Sequence, residues 1–400
     1  MADFGSELEH FRADARAWLE ANFPHSLRND PEAAESVLTP EKPTGDRALW
    51  KERMGAKGWG APTWPAEYGG GGLPPQQARI LAQEMDKIGA YNPIVGMGTS
   101  MFGPTLLEYG TDAQKARHIP PIVKGELRWC QGYSEPGAGS DLASLQTKAE
   151  DKGDHFLING QKIWTSGAQY ADWCFCLVRT DPTAKKHEGI SFVLIDMHQP
   201  GVETRPIKLI AGSSPFCETF FTDAVAKKED LVGPLNGGWT VGKRLLQHER
   251  SGQGGSRMMG GGASIPDLAK KYIGTDEKGR IADSDLRTRI AGHMINAKAH
   301  TLTLQRAQAE ARGNLNPSAT TSVMKNSGTW IGQERAELTL EIMGTRGLGW
   351  EGDDFDKDEL QAVRGWLSGK ATTIFGGSQE IQSNIVSKRI LGLPDATRST

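Results

Sequence analysis

The sequence predicts an α+β fold in which a middle β unit stands between two helical units. Three observations predict it. Apolar residues recur at helical spacing in residues 7–23 and 75–118, short β-prone runs separated by turns fill about 127–235, and long helical periodicities return from residue 239. The chain has 400 residues, more than one core usually serves, since single cores rarely grow past about 250–300 residues. The expected units are an all-α domain at 1–126, an antiparallel, β-barrel-like domain at 127–236 and a C-terminal four-helix bundle at 237–400.

Phe11, Ala15, Trp18 and Leu19 share one helix face, and Pro24 ends that helix. Pro24, Pro31, Pro40 and Pro43 make 24–45 an irregular excursion, after which Trp50–Lys57 resumes a short helix. The run from Trp64 to Gly72 is a loop by composition and is read as a fixed turn rather than a lid. Ile80, Leu81, Met85 and Ile88 mark the next helix, with a break at Tyr91-Asn92-Pro93.

In the middle unit the β-prone runs are Phe156–Ile158, Trp173–Val178, Ile190–Ile195, Val202–Ile210 and Glu218–Phe221. Asn159-Gly160, lying between Phe156-Leu157-Ile158 and Ile163-Trp164, reads as a hairpin turn, with Trp164-Thr165-Ser166 closing a strand. Helical segments follow at 239–250, 284–312, 318–343 and 358–369.

The formal charge of -3, with no block of like charge, argues against a nucleic-acid partner held by phosphate neutralisation. Cys130, Cys174, Cys176 and Cys217 lack metal-ligand spacing, and a chain of this size needs no disulfide staples, so free thiols in a reducing compartment are expected. The N-terminus has no secretory pattern and no apolar run reaches the roughly 20 residues of a membrane span, which predicts a cytoplasmic protein away from membranes. HExxH, Gly-x-Ser-x-Gly and GxxxxGK[ST] are all missing, and Gly137-Ala138-Gly139 lacks the third glycine of a dinucleotide fingerprint. Hydrolase, NTPase and nicotinamide readings weaken, and no metal site is expected.

Three stretches carry candidate chemistry. From Trp129 to Asp141, the small or turn-forming residues Pro136–Ser140 leave backbone N–H groups open to an anionic group. A phosphate-cradling loop beside a strand that delivers the Trp164 indole and a hydroxyl suits a cofactor with a pyrophosphate and a planar ring, such as FAD; an ordinary surface loop is the alternative.

Second, Glu249 ends the helical run Gly242–Arg250 just before Gly252, Gly254, Gly255, Gly260, Gly261 and Gly262. A carboxylate bordering a cavity there would have its pKa raised by burial toward a general base's range; a plain Glu–Arg helix pair is the alternative. Third, Gly376-Gly377 precede Ser378 and Glu380 at a helix start, where exposed N–H donors hold a carbonyl oxygen or a phosphate, or where the helix is simply capped.

Taken together these stretches resemble the acyl-CoA dehydrogenase family over nearly the whole chain. The resemblance rests on Trp64–Gly70, Gly132–Asp141, Asn159–Trp164, and Phe375–Gln382 with the ending Arg389–Pro394. It implies a fold of α, β and α domains, non-covalent FAD, and a tetramer in which neighbouring subunits share each FAD.

By similarity, Gln131, Tyr133, Ser134, Gly139 and Ser140 line the flavin and its phosphates, with Ser140 also near the acyl-CoA. Trp164 covers the flavin ring, and Ser166 bonds near N5. Glu341, Gly344 and Gly347 match the segment that reaches a neighbour's adenine half, and Ser378 and Glu380 match cofactor contacts.

Two departures refine the resemblance. Gly376 occupies the position where many members carry the catalytic Glu, and a subset carries it instead where Glu249 stands, next to Arg250 at the substrate; Gly376 keeps a backbone N–H for the thioester. The usual Arg-x-x-Phe-Gly segment that holds FAD is replaced by Leu268–Arg289 with a charged insertion, which leaves FAD contacts from that region in question. The Leu246–Arg250 motif and the insertion resemble the large subunits of two-component members such as pimeloyl-CoA dehydrogenase.

The implied activity is α,β-dehydrogenation of an acyl-CoA, with the glycine-rich run after Glu249 pointing to a bulky, branched, cyclic or dicarboxylic acyl group. An electron-transfer flavoprotein is the implied acceptor, in a homo-tetramer or a hetero-oligomer with a paralogous subunit. The rivals are an acyl-CoA oxidase and a subunit that depends on its paralogue for activity.

Overall fold

The computed structural model describes residues 4–30, 41–253, 264–312 and 320–394. It divides into two compact units, Met1–Ile207 with Pro215–His248, and Lys208–Ser214 with Glu249–Thr400.

The first unit opens with helices α1 (Phe4–Asn22), α2 (Gly45–Ala56), α3 (Pro75–Lys87), α4 (Gly103–Tyr109) and α5 (Asp112–Val123). The helical face read from Ala15 and Leu19 is fully buried, and it packs in one core with Phe23, Trp50, Met54 and Trp59. The α1–α3 contact is pinned by Glu84, buried at 1 % exposure, which accepts from Arg12 and Arg16 at 2.8 Å each and from Lys87 at 2.7 Å. These three cations hold its pKa down to about 2, Arg16 contributing most.

The Trp64–Gly72 segment is a fixed turn. A Cβ on Gly70 would lie 2.5 Å from the Trp64 carbonyl oxygen, and one on Gly71 would lie 2.6 Å from that of Pro62. Backbone packs directly on backbone there, which only glycine permits.

Next comes an eight-stranded sheet: β1 (Trp129–Gly132), β2 (Lys148–Asp151), β3 (His155–Ser166), β4 (Trp173–Arg179), β5 (Ile190–Asp196), β6 (Val202–Ile207), β7 (Phe216–Lys227) and β8 (Leu231–Val232). The order is β6-β7-β3-β2-β4-β5-β8, with β1 joined to β4. The sheet is predominantly antiparallel, as expected; β4 takes two parallel neighbours, β1 and β2. Buried on both faces, β4 and β5 read as near-continuous apolar runs.

One local expectation fails. Asn159-Gly160 is not a hairpin turn but the middle of the twelve-residue strand β3. The register against β7 shifts between Ile158 and Gly160, and the Asn159 side chain brackets Asp223, donating to its carboxylate and accepting its N–H, both at 2.9 Å. Gly160 is needed because a Cβ there would sit 2.7 Å from Thr147. The dipeptide that signals a turn serves here as a bulge. The actual β2–β3 connection runs through Gly153, at φ +98°.

Helix α6 (Gly238–Gln253) follows. Its Val241 and Leu245 enter the core of the first unit with Tyr133, Leu177 and Phe192.

In the second unit, α7 (Ile265–Tyr272), α8 (Ser284–Arg312), α10 (Lys357–Gly369) and α11 (Gln379–Arg389) all pack against the central helix α9 (Thr320–Met343). Ile265, Ile290, Leu338 and Ile342 anchor its core. Ser264 caps α7, and Asp356 with Glu359 forms a capping box on α10. No helix among the described residues is long and apolar enough to cross a membrane.

Candidate functional site

The residues from Gln131 to Asp141 leave the sheet at the end of β1. Gly132 allows that strand to lie against β4, since a Cβ would meet Cys174 Sγ at 2.8 Å and Cys176 Sγ at 2.9 Å. The loop then folds on itself, Glu135 and Ala138 exchanging both backbone hydrogen bonds at 3.1 and 3.0 Å. Two links bind it to the end of β3. Ile163 N–H donates to Ser134 O at 2.9 Å. Lys162 Nζ, with no exposed surface, donates to Tyr133 O at 3.1 Å and to Glu135 Oε1 at 2.8 Å.

Glu135 also accepts from the N–H groups of Gln146 and Thr147 at 2.6 and 2.8 Å. Burial pushes its pKa up, but Lys162 and these donors outweigh burial and leave it lowered. Arg179 fixes the far side of the loop by donating to the carbonyls of Ala143 (2.7 Å) and Leu145 (3.2 Å).

The clamp presents an open cradle. A Cβ built on Gly137 or Gly139 meets nothing within 4 Å, and Ser140 and Asp141 are exposed. Next to it, Trp164 has φ +61°, a conformation a bulky residue adopts only under constraint, at a second register shift of β3 between Lys162 and Thr165. Its indole stays 53 % exposed, edge-on to Phe216 at 6.1 Å. An open backbone cradle beside a strained, exposed indole fits a ligand with an anionic bridge and a flat ring, and the residues therefore suit FAD.

Of the expected flavin residues, Gln131, Ser134, Gly139, Ser140, Trp164 and Ser166 lie on this loop and this strand end. Tyr133 differs: its ring is in the core, edge-on to Phe175 and Phe192, so only its main chain is available to a cofactor.

Helix α6 is fixed to within one residue of Glu249. Arg244 grips Glu108 with two bonds of 2.7 Å, and His248 lies 3.2 Å from the same carboxylate. The Arg244 bond is the main cause of the lowered pKa of Glu108. Glu249 and Arg250 continue the helix, but their side chains, like the expected glycines at 254, 255 and 260–262, lie outside the described residues.

In the second unit, Gly376 (φ +65°) and Gly377 (φ +89°) form the turn before α11. Gln382 Nε2 donates to Gly376 O at 2.8 Å, and Lys325 Nζ donates to Gly377 O at 2.7 Å. With both carbonyls held, no acceptor among the described residues takes the Gly376 N–H. Ser378 caps α11 and the exposed Glu380 lies in its first turn. Glu341 carries both oxygens on Arg289, at 2.5 and 2.7 Å, which occupies the carboxylate expected at an adenine. Gly344 is open, whereas Gly347 is packed 2.7 Å from the Leu340 carbonyl oxygen.

Sequence reasoning missed Lys162, Glu135, Lys325 and Gln382, the residues that hold the two loops. For Lys162 a signal existed: it shares the even positions of the buried Phe156 and Ile158 on β3.

Three family models match in order: the N-terminal domain of acyl-CoA dehydrogenase at residues 5–126, the middle domain at 130–224 and the C-terminal domain at 236–391. The chain is also 36 % identical, over 97 % of its length and 98 % of the relative's, to acyl-CoA dehydrogenase IpdE1 of Mycolicibacterium smegmatis. This chain belongs to the acyl-CoA dehydrogenase family.

Among solved structures, this acyl-CoA dehydrogenase is similar to the Tcur3481-Tcur3483 steroid ACAD (TM-score 0.77, 29 % identity, 98 % of each chain covered). It is also similar to the ChsE4-ChsE5 complex from Mycobacterium tuberculosis (TM-score 0.75, 30 % identity, covering 99 % of this chain and 100 % of that one). The dehydrogenase is thus an oxidoreductase of an FAD-dependent family.

Proposed function

We propose that the chain is the FAD-binding, base-bearing subunit of an enzyme that desaturates a bulky, ring-bearing acyl-CoA to the trans-2-enoyl-CoA. The observation that carries this reading is the clamp of the 134–141 loop onto the end of β3, which sets an open phosphate cradle beside the Trp164 indole. FAD, when bound, supplies the acceptor for the β-hydrogen, which leaves as hydride.

The chain's own residues do the rest. Glu249 takes the α-proton, with Arg250 beside it at the substrate. The Gly376 N–H, in a turn whose Gly376 and Gly377 carbonyls are held by Gln382 and Lys325, donates to the thioester oxygen as it gains enolate character. The loop residues Gln131, Ser134, Gly139 and Ser140 offer main-chain and hydroxyl donors to the phosphates; Trp164 covers the ring and Ser166 donates near its N5. By the resemblance, Glu341, Gly344 and Gly347 serve the adenine half of a neighbouring subunit's FAD, and Ser378 and Glu380 are cofactor contacts; the Arg289–Glu341 pair narrows what Glu341 can offer.

A bulky substrate is supported by the steroid ACAD among the similar structures. A hetero-oligomer with a paralogous subunit is supported by the ChsE4-ChsE5 complex and by the two-component Tcur3481-Tcur3483 enzyme. An electron-transfer flavoprotein is the proposed acceptor.

The test is an anaerobic visible spectrum of the chain, alone and co-purified with a paralogous subunit, titrated with ring-bearing and straight-chain acyl-CoAs. Bleaching of a yellow protein by ring-bearing thioesters is expected. A protein that binds no flavin in either form refutes the proposal, and oxygen uptake matching bleaching replaces the flavoprotein acceptor with an oxidase.

A further inference from the structure

The charged contact on α6 lies one residue short of Glu249 and takes part in no step above. Glu108, on α4, accepts from Arg244 Nε and Nη2 at 2.7 Å each, and His248 Nε2 lies 3.2 Å from Glu108 Oε1. Arg244 also donates to Gln247 Oε1 at 2.9 Å, so one carboxylate orders three residues of a single helical turn. The Arg244 bonds are the main cause that holds the Glu108 pKa down, which keeps it an anion.

A forked arginine–carboxylate pair fixes direction as well as distance, because two parallel bonds restrain rotation. Its contribution to stability is small: Arg244 and Glu108 are 41 % and 37 % exposed, and ion pairs so open to water add little to folding. The core already anchors α6 through the buried Val241 and Leu245, and Gly242 lies so close to β4 that a Cβ would meet Leu177 at 3.2 Å. Core packing therefore holds the helix, and the pair with Glu108 holds the polar side of the turn that leads into Glu249.

Glu108 also stands on an element with a second task. Helix α4 continues directly from the π-helical turn Gly98–Phe102. Gly98 and Thr99 of that turn line a cavity of about 250 Å³, which is lined as well by Ser166, at the strand end that the proposed function puts at the flavin. Such π-helical turns recur at functional sites. One carboxylate thus joins the wall of this cavity to the helix that carries the base.

We propose that Glu108 is a positioning residue: through Arg244 and His248 it sets the end of α6, and with it Glu249, for removal of the α-proton. This role rests on the reading of Glu249 as the base and adds the residue that aims it. Misplacing a reacting group by about 1 Å costs on the order of a hundredfold in rate, so a contact of little value to folding can decide the reaction.

The experiment compares flavin-loaded wild type, Glu108→Gln, Arg244→Met and the double variant, each with any subunit that co-purifies and with an acyl-CoA that bleaches the wild type. Glu108→Gln keeps the size of the side chain and loses its charge. Its anaerobic bleaching rate at saturation is expected to fall by about ten- to a hundredfold, with Kd from calorimetry little changed. Its melting midpoint should stay within about 2–4 °C of the wild type. The α-deuterium isotope effect on bleaching should grow, because proton removal becomes the slower step. The double variant is expected to lose no more than Arg244→Met alone, since both substitutions break one contact. Glu108→Asp, which keeps the charge, should recover part of the rate, and Arg244→Met carries the same expectations if Glu108→Gln fails to fold.

A wild-type rate at saturation in Glu108→Gln, or losses that multiply in the double variant, overturns the proposal. A lower rate with the isotope effect unmoved gives Glu108 a structural part only and overturns it as well. Failure of the reading beneath it looks different, because Glu249→Gln then bleaches as the wild type does. With Glu249→Gln inert, an unaffected Glu108→Gln refutes the role of Glu108 alone.

Discussion

Replacing Lys162 by Met tests whether the buried pair with Glu135 holds the loop that cradles the phosphates. Lys162 has no exposed surface and Glu135 is 8 % exposed, so the variant leaves a buried carboxylate without its cation. Removing one partner of such a pair costs about 3–5 kcal/mol. Two backbone donors, Gln146 N–H at 2.6 Å and Thr147 N–H at 2.8 Å, remain on Glu135 and favour the lower end.

At about 3 kcal/mol, and about 2–4 °C per kcal/mol for a large domain, the melting midpoint is expected to fall by about 6–12 °C. FAD fluorescence should appear at the same lowered temperature, because Lys162 also holds the Tyr133 carbonyl. Adding Glu135→Gln removes the stranded charge and is expected to recover part of the loss, a coupling of about 0.5–3 kcal/mol. A single variant that melts within about 2 °C of the wild type, or a double variant no better than the single one, refutes the reasoning.

Two further outcomes follow from the same structure. The His118 ring is 1 % exposed, boxed edge-on by Trp129 and Trp173 at 5.3 and 5.2 Å, and neither nitrogen has a partner among the described residues. Burial, then Arg117, pulls its pKa from 6.5 to about 4, so as pH falls the unfolded chain takes the proton first. Stability should be level above about pH 6.5 and decline between about 6.5 and 4 by up to about 3 kcal/mol, a slope that His118→Phe removes and that denaturant titrations at several pH values would detect. Lys325→Met frees the Gly377 carbonyl and, through the turn, the Gly376 N–H, so flavin reduction at saturating acyl-CoA should slow by about tenfold or more with KM changed less; an unchanged rate would separate Lys325 from the thioester.

Much of the architecture was legible because it rests on periodicity. The helices at 284–312, 320–343 and 357–369 fall close to the expected spans, and the loop, Trp164 and the 376–378 turn were all found from glycine and aromatic spacing. Asn159-Gly160 was misread because the same two residues that permit a hairpin also permit a bulge, and only the tertiary neighbours Thr147 and Asp223 select between them.

Tyr133 was read as a flavin contact because it sits in the motif, whereas its parity beside Gly132 sends its ring to Phe175 and Phe192. Lys162 and Lys325 were passed over because their partners lie 27 and 52 residues away; Lys162 alone carried a hint, its even position on β3 beside the buried Phe156 and Ile158.

The central claim, that this chain removes the α-proton of an acyl-CoA with Glu249 while its loop holds FAD, meets its most direct test in Glu249→Gln. The variant and the wild type, each purified yellow with equal FAD content, would be mixed anaerobically with an acyl-CoA that bleaches the wild type, and the flavin absorbance followed. The account predicts that Glu249→Gln binds the acyl-CoA with a spectral shift and does not bleach. Bleaching at the wild-type rate would put the base elsewhere and contradict it.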